Sequence, residues 1–320
     1  MALYDCDVTQ LKSQLHEIFA PDCEIHLASP LEQMQGADEL FERAYLPLLT
    51  AIPDLERRDY ILMAGEVNGD NWVGCAGSYM GVFEHHWLDI PPTQHAVHMR
   101  YHEFFRIEDD KIVEMQALWD IPQVMMQAQA WAMTPSLGVE WLVPPPAVLN
   151  GIITARYNQA QSDASVKLVG DMLDGLKRSL EGAEAMQLDR YWHPKMNWYG
   201  PAGIGSMRRV SGFRNWHQIP FLNAMPDRQA ILENGAFFGD GDYVGFTAFP
   251  GMAMTISGDG WLGIAPSDQK ITMRSLDFWR CENGLIRENW VLVDLLHVYD
   301  QIGVDVFARM REMTCARQPH

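Results

Sequence analysis

The chain contains an internal repeat, and this repeat limits what the sequence can fold into more than any other feature. Residues 97–127 align without a gap with residues 271–301 at an offset of 174, and 11 of the 31 positions are identical. Earlier pieces, such as Ala51–Asp54 and Ala224–Asp227, align at an offset of 173. Two copies, each long enough to hold its own core, indicate a duplicated domain rather than a solenoid of short stacked repeats.

A proline-rich stretch separates the two copies. Thr134–Gly138 and the run Pro144–Pro146 cannot continue a helix and are typical of a linker. The full length of 320 residues accommodates two domains of ordinary size. We predict a first domain over residues 1–134, a linker over 135–150 and a second domain over 151–320.

Each copy is predicted to begin with helices and to end in strands. Apolar residues at helical spacing predict a first helix at Val8–Phe19 in copy 1 and at Ser165–Leu188 in copy 2. The pairs Asp109-Asp110 and Asn283-Gly284 predict hairpin turns. Helices followed by an antiparallel meander favour an α+β fold. The last two strands of each copy are predicted over 97–107, 111–119, 271–281 and 285–293.

Composition and charge exclude several classes of protein. Apolar residues make up 48 % of the chain and charged residues 21 %, as in ordinary globular proteins, and no apolar run is long enough to span a membrane. The net charge is −18, and residues 1–150 carry −16 of it, so nucleic acid and anionic membranes are not expected as partners. We expect a cytoplasmic protein, because the N-terminus lacks signal-peptide features and the five dispersed cysteines suit a reducing compartment.

Both copies end in the pattern F-x-R-x-E-x-x-x-I-x-E-x-x-x-L-x-D followed by a short helix. This pattern and the order of elements resemble the SnoaL-like branch of the NTF2-like superfamily. The resemblance implies two cones, each a strongly curved antiparallel sheet wrapped around helices with an apolar pocket inside. It also implies that the two cones pair through their sheets as an intrachain pseudo-dimer, and further pairing of chains is left open.

The resemblance implies small-molecule chemistry, typified by polyketide cyclases that close rings by intramolecular aldol condensation. We therefore expect a cofactor-independent acid/base enzyme acting on a small carbonyl compound, of the cyclase, isomerase or hydratase type. The alternative is a non-catalytic NTF2-like module that binds a small molecule or a peptide. The histidines of copy 1 match no metal-binding motif, so neither a metal nor another cofactor is expected.

The cyclases of this family use an aspartate near the end of the last strand, which implies Asp120 and Asp294 as general acid/base residues here. Strand alternation places Glu288, Trp290, Leu292 and Asp294 on one face, and polar ends around an apolar middle suit a pocket wall. Desolvation there would raise the carboxyl pKa toward neutrality. The alternative is that each aspartate only caps the helix that follows it.

Copy 2 carries His297 three residues after Asp294, where copy 1 has a glutamine. An imidazole beside a carboxylate can relay protons, so we predict the working site in copy 2, with Asp294 and His297 as its pair. The alternative is a histidine packed on the helix face. Arg274 is predicted either to bind an anionic substrate oxygen or to form a structural pair with Glu288.

Strand alternation leaves one question open in each copy. Glu103 and Asp277 lie on the opposite strand face from Arg100 and Arg274, and the sequence does not say which face lines the pocket. Two aromatic residues of copy 2, Trp198 and Trp261, are predicted to line the pocket, the first from a short strand and the second from a glycine-rich loop. The alternative is that both belong to the core.

Overall fold

The computed structural model describes residues 7–176, 184–231 and 235–315. Each half of the chain forms one sheet with helices against one face, which confirms the predicted α+β class. Of the helix predicted over Ser165–Leu188, the part up to Leu176 lies in the observed helix Gln159–Leu176, and residues 177–183 lie outside the described residues. The predicted end at Leu188 is wrong, because Glu184–Met186 forms a 3-10 turn and Gln187 has a left-handed backbone conformation.

Domain 1 contains a six-stranded sheet in the order β2-β1-β6-β5-β4-β3. Neighbouring strands are antiparallel except for β1 and β6, which run parallel. Its elements are α1 (Val8–Ile18), β1 (Phe19–His26), β2 (Gln33–Gln35), α2 (Gly36–Leu40), α3 (Leu46–Ala51), β3 (Glu56–Val67), β4 (Asp70–Val82), β5 (Ala96–Glu108), β6 (Lys111–Trp119) and α4 (Ile121–Gln127).

Domain 2 repeats this arrangement in the order β10-β11-β12-β13-β7-β8, with β9 pairing beside β11. Here β7 and β13 form the parallel pair. Its elements are α5 (Gln159–Leu176), α6 (Leu188–Tyr191), β7 (Trp192–Tyr199), β8 (Ser206–Arg208), α7 (Arg209–Phe213), α8 (Ile219–Ala224), β9 (Gln229–Ala230), β10 (Gly235–Asp240), β11 (Tyr243–Thr255), β12 (Lys270–Glu282), β13 (Leu285–Val293), α9 (Leu295–Gln301) and α10 (Val306–Thr314).

Both domains contain a π-helical turn between two short helices, at Phe41–Tyr45 and at Arg214–Gln218. Each turn is followed by a proline in the first turn of the next helix, Pro47 or Pro220. Proline has no N–H to donate, so it interrupts the regular hydrogen-bond ladder and favours a wider turn. Side chains from these wide turns reach the inner surface of each sheet.

The predicted hairpins are confirmed. Asp109-Asp110 and Asn283-Gly284 have positive φ at both positions, as a two-residue type I′ turn requires. The four predicted terminal strands agree with β5, β6, β12 and β13 to within one residue at each end. Among the strands that sequence analysis did not predict, β3 and β10 lie at the edges of their sheets.

The two sheets pack against each other through the faces that point away from the helices. Phe104 stacks on Phe278, its own counterpart in the repeat, with ring centroids 4.8 Å apart and planes 14° apart. A residue that contacts its own counterpart lies on a twofold axis. The two domains therefore form the predicted pseudo-twofold pair. The buried core between them includes Ile61, Met63, Trp72, Phe104, Leu118, Phe238, Leu276, Phe278, Trp290 and Leu292.

The segment 128–158 between α4 and α5 contains isolated bridges and no longer strand or helix. The domain boundaries within it stay a prediction. No helix among the described residues is long and apolar enough to cross a membrane. The four cysteines in the described part of the chain are free thiols.

Candidate active site

Each sheet has an inner face turned toward its helices and an outer face turned toward the other domain. Tyr45, on the π-helical turn of domain 1, contacts Trp119 with ring centroids 5.5 Å apart, and the Trp119 indole N–H donates to Glu103. Glu103 therefore faces inward, whereas Phe104 faces domain 2. We call the space between inner face and helices cone 1 in domain 1 and cone 2 in domain 2. By the same register Asp277 faces into cone 2.

Asp294, the predicted acid/base residue, lies between the domains rather than inside cone 2. Its carboxylate accepts a 2.9 Å hydrogen bond from the Ser29 N–H of domain 1 and pairs with Arg274 at 3.0 Å. It also accepts a 3.1 Å hydrogen bond from the backbone N–H of His297, which is the capping contact of the alternative interpretation. The His297 ring lies 3.8 Å from Glu32 of domain 1. The structure thus brings Asp294 and His297 together, but at the domain interface.

Asp120 of domain 1 makes the equivalent contact with domain 2. It accepts a 3.0 Å hydrogen bond from the Ala202 N–H of domain 2 and lies 3.5 Å from the Arg100 guanidinium. Arg100 also donates to the Tyr199 carbonyl across the interface at 3.0 Å. Burial raises the pKa of Asp120 to about 6, and burial likewise raises the pKa of Asp294, although the neighbouring arginine opposes the shift in each case. We call Asp120–Arg100 and Asp294–Arg274 the interface ion pairs.

Glu288 and Trp290 share this orientation. Glu288 pairs with Arg280 at 2.6 Å, and the Trp290 indole N–H donates to the Pro144 carbonyl of the linker at 3.1 Å. Domain 1 and the linker thus cover the strand face that carries Glu288, Trp290 and Asp294, and the prediction that this face lines the cone is wrong. Strand alternation correctly placed these three residues on one face of the sheet. Because both faces of the sheet are buried, the pattern of apolar residues does not show which face is the inner one.

Arg274 is occupied by groups of the protein itself. Its guanidinium donates to Glu32 at 2.6 Å and to Asp294 at 3.0 Å, and it lies over the Phe249 ring at 4.8 Å. The expected pair with Glu288 is not formed, because Glu288 binds Arg280 instead. The sequence-predicted ligand role of Arg274 therefore has no support in its position.

The two predicted pocket tryptophans lie on the cone 2 side of the sheet. The Trp198 ring stacks on the His217 ring, with centroids 4.2 Å apart and planes 19° apart. Trp261 packs edge-on against Phe221 at 5.6 Å, and Phe221 in turn contacts His217 at 5.6 Å. Both tryptophans are buried. They form part of an aromatic wall, and their role in ligand binding stays a prediction.

A crevice lies between the domains, lined by Ser29, Asp120 and Asp294 together with apolar residues of both last strands. The crevice is partly open and its volume is about 10 Å³, which is roughly the space that one water molecule needs. A crevice of this size holds a water molecule. The buried acids inside the cones are the other candidates for acid/base chemistry.

Cone 1 contains a fully buried carboxylate that three donors satisfy. Glu103 accepts hydrogen bonds from the Arg57 guanidinium at 2.7 Å, the Tyr79 hydroxyl at 3.1 Å and the Trp119 indole at 3.0 Å. The Tyr45 hydroxyl lies 3.2 Å from that of Tyr79 and extends the network. The acid of cone 1 is thus both neutralised by a cation and hydrogen-bonded, which is the condition for a stable buried charge.

Arg57 is held on several sides. It donates to Asp59 at 3.1 Å and to the Cys75 thiol at 2.9 Å, and its guanidinium lies 4.3 Å from the Tyr101 ring centroid. Burial opposes its charge, but the carboxylate of Glu103 and its other neighbours raise the pKa of Arg57 well above the ordinary value. Arg57 therefore stays charged, and these side chains occupy the interior of cone 1.

Cone 2 holds an acid at the same position of the sheet without a cation beside it. Asp277 accepts a 2.6 Å hydrogen bond from the Ser275 hydroxyl, and the Asn289 amide beside it donates to the Phe278 carbonyl at 3.1 Å. Its cross-strand neighbours are Phe246 and Val291. Burial raises the pKa of Asp277 to about 7, and the polar side chains of Ser275 and Asn289 only partly oppose this shift. No charged side chain among the described residues contributes to it.

The strand pairing allows the two cones to be compared position by position. Met99 pairs with Tyr79 in domain 1, and its counterpart Met273 pairs with Met252 in domain 2. The groups that neutralise and hydrogen-bond the acid of cone 1 are replaced in cone 2, mostly by apolar residues. The replaced positions, cone 1 first, are Arg57/Ala230, Cys75/Phe246, Tyr79/Met252, Tyr101/Ser275 and Trp119/Val293.

Among the residues that the structure describes, no three His, Cys, Asp or Glu side chains converge as metal ligands would. Asp277, Asn289, Ser275 and His217 instead bring a carboxyl, an amide, a hydroxyl and an imidazole to cone 2. Groups of these kinds can exchange protons or form hydrogen bonds with an organic molecule. The arrangement suits acid/base chemistry.

The sequence matches the SnoaL-like polyketide cyclase family over residues 2–128 and 171–302, so both copies match separately. These segments make up most of the chain, which therefore belongs to this family and carries two SnoaL-like domains. No curated protein matches this chain.

Solved structures similar to the chain each correspond to about one domain. IdmH, a putative polyketide cyclase from Streptomyces antibioticus, is 18% identical, with 40% of this chain and 94% of that chain covered and a TM-score of 0.34. A putative SnoaL-like polyketide cyclase from Jannaschia sp. CCS1 is 21% identical, with 39% and 85% covered and a TM-score of 0.33. An NTF2-like protein from Burkholderia xenovorans LB400 is 11% identical, with 44% and 98% covered and a TM-score of 0.35.

Sequence analysis left open whether Asp277 faces the pocket, and it gave no role to two other polar residues of cone 2, Asn289 and His217. The repeat contained a signal for each of them. At the position of Asp277, both copies have an acid. At the positions of Asn289 and His217, copy 1 has the apolar residues Met115 and Ala44. Reading the repeat for such differences, rather than for its identities, would have pointed to cone 2.

Proposed function

We propose that domain 2 catalyses proton transfer on a small, uncharged carbonyl compound bound in cone 2, with Asp277 as the acid/base group. One observation carries the proposal: Asp277 is buried among aromatic and aliphatic neighbours with no counter-ion from the described part of the chain, and burial raises its pKa to about 7. A carboxyl with a pKa near the working pH both accepts and returns a proton readily. Membership of the SnoaL-like polyketide cyclase family supports chemistry of this type.

In the proposed reaction, the Asp277 carboxylate removes a proton from the carbon beside the substrate carbonyl. The C–H electron pair becomes the carbon–carbon double bond of an enolate, and the carbonyl oxygen takes the negative charge. Ser275 holds the carboxyl group in place through its hydrogen bond, and the Asn289 amide lies beside it. Aldol-type cyclisation and isomerisation both begin with this step, and protonated Asp277 returns the proton at its end.

The experiment is hydrogen–deuterium exchange at the carbon beside a carbonyl, measured by NMR with 1-tetralone in D₂O. Wild-type protein is expected to accelerate exchange, and Asp277→Asn to lose at least about 100-fold of that acceleration, because asparagine cannot take the proton. Asp294→Asn separates this proposal from the sequence prediction. If Asp277 is the base, Asp294→Asn retains exchange within about threefold of wild type, provided that the variant is folded.

Equal exchange by wild type and Asp277→Asn would refute the proposal. Loss of exchange in Asp294→Asn alone would return the acid/base role to the domain interface. A wild-type protein that binds ketones without exchanging their protons would support the alternative, a non-catalytic binding module.

A further inference from the structure

His217 is the one histidine of domain 2 that lies within an aromatic cluster of cone 2. It sits on the π-helical turn, where domain 1 has alanine. One face of its ring stacks on Trp198 at 4.2 Å, and Phe213 and Phe221 contact the ring at 5.5 and 5.6 Å. The aromatic neighbours therefore fix the orientation of the ring.

The Nδ1 atom of His217 is buried and has no hydrogen-bond partner among the described residues. A buried polar atom without a partner costs roughly 1–3 kcal/mol, and native structures keep few of them. Burial lowers the pKa of His217 to about 3, so its ring is neutral at physiological pH. A neutral imidazole has one N–H to donate and one nitrogen that accepts.

His217 is connected to Asp277 through a row of inner-face residues. Trp198, on which His217 stacks, lies beside Asn289 in the parallel pair of β7 and β13. The Asn289 amide in turn lies beside the Asp277 carboxyl and opposes the rise of its pKa. In cone 1 the equivalents of Trp198 and Asn289 are Ile25 and Met115, which are apolar and do not form such a row.

We propose that His217 is a substrate-binding residue of cone 2, whose Nδ1–H donates to the carbonyl oxygen of an uncharged ring ketone packed against the aromatic wall. This inference rests on the proposed function, since it concerns the same site. When Asp277 takes the proton from the neighbouring carbon, the oxygen becomes an enolate and the hydrogen bond from His217 strengthens. His217 keeps its own proton throughout, so the only proton transferred is the one that moves to Asp277.

The charge inside the cone restricts the ligand to uncharged molecules. Cone 1 has a cation at Arg57, and the equivalent position of cone 2 is Ala230. A carboxylate would enter an apolar interior without a counter-ion, which is unfavourable. Binding should therefore favour a ketone over an acid of the same shape.

The test uses three probes with the same ring skeleton: 1-tetralone, tetralin without the oxygen, and tetralin-1-carboxylate with a charge. Dissociation constants are measured by NMR titration for wild type and for His217→Phe, which keeps a ring against Trp198. The substitution is expected to weaken 1-tetralone about tenfold, the value of one hydrogen bond, and to change tetralin less than twofold. The carboxylate is expected to bind wild type at least about tenfold more weakly than the ketone.

A second measurement needs no variant. In protein with ¹⁵N-labelled histidine, the Nδ1 signal of His217 should shift on addition of 1-tetralone and should stay in place with tetralin. An equal loss of affinity for ketone and hydrocarbon in His217→Phe, an Nδ1 signal that ignores the ketone, or no binding of either probe would each overturn the inference. If His217 binds the ketone but no proton exchanges, this inference stands and the catalytic proposal fails.

Discussion

The two cones of this chain start from the same fold and the same buried acid, and they treat that acid in opposite ways. In cone 1, Arg57, Tyr79 and Trp119 surround Glu103 with a charge and two hydrogen bonds. In cone 2, the corresponding acid Asp277 accepts a hydrogen bond from the neutral Ser275 hydroxyl and has no cation beside it among the described residues. The two copies thus hold the equivalent acid in opposite surroundings, paired with a cation in cone 1 and beside neutral groups in cone 2.

The comparison shows that the identities of a repeat and its differences carry separate information. The identical residues, such as Arg100/Arg274 and Asp120/Asp294, lie at the interface where the domains bind each other. Because the pairing is pseudo-twofold, each such contact is made twice, and both copies need the same residues. The differences cluster in the cone interiors, where each copy is independent.

The largest effect on stability is expected from removing the cation of cone 1. Arg57→Ala leaves Glu103 buried without a counter-charge, and breaking a buried ion pair in this way costs about 3–5 kcal/mol in the free energy of unfolding. The matched control is Arg58→Ala, which removes an exposed pair with Glu56 and is expected to cost less than about 1 kcal/mol. Urea unfolding at neutral pH measures both.

A double variant separates two causes of the stability loss in Arg57→Ala: the unpaired charge of Glu103 and the lost packing of the arginine side chain. Adding Glu103→Gln to Arg57→Ala removes the stranded charge and should restore part of the lost stability. A loss that is no greater for Arg57→Ala than for Arg58→Ala would mean that cone 1 does not depend on its internal ion pair.

The pH dependence of stability should distinguish the acid of cone 2. Burial raises the pKa of Asp277 from 3.8 to about 7, so the folded protein keeps a proton that the unfolded chain releases. The contribution of this proton to the free energy of unfolding is complete below about pH 4 and is lost as the pH rises through 7. Its maximum is about 4 kcal/mol. Asp277→Asn removes this dependence.

Unfolding of wild type and Asp277→Asn is therefore compared at pH 5 and pH 8. Relative to wild type, the variant should gain about 3 kcal/mol between the two pH values, and the other acids cancel because both proteins contain them. A gain below about 1 kcal/mol would place the pKa of Asp277 near its ordinary value.

The smallest expected effect concerns the two interface ion pairs. Asp120→Asn leaves the fully buried Arg100 with carbonyl partners alone, whereas Asp294→Asn leaves Arg274 paired with Glu32 at 2.6 Å. The first variant should therefore be the less stable one, by about 1–2 kcal/mol in thermal or urea unfolding. Equal losses, or the reverse order, would show that Glu32 does not support Arg274 in solution.

Much of the fold was predictable from local patterns. The hairpin residues Asp109-Asp110 and Asn283-Gly284 fix their turns by backbone preference alone, and the repeat fixed the number of domains. The edge strand Glu56–Val67 was missed because charged residues interrupt its apolar pattern. The π-helical turns were missed because their signal is one proline after each turn.

The site was only partly predictable, for a physical reason. Trp198 was correctly placed on the cone side, but Asp294 and Glu288 were assigned to the wrong face of their strand. In a sheet with one solvated face, hydrophobic alternation identifies the inner side. Here helices cover one face and the other domain covers the other, so Trp290 and Asp277 are both buried although they lie on opposite faces.

The most direct test of this account is a ¹³C NMR titration of the Asp277 carboxyl group, assigned by its absence from the spectrum of Asp277→Asn. The account predicts a midpoint near pH 7, because the group is buried without a counter-ion. A midpoint below about pH 5 would mean that the carboxyl is solvated or paired in solution. That result would contradict the difference between the two cones and the proposed chemistry with it.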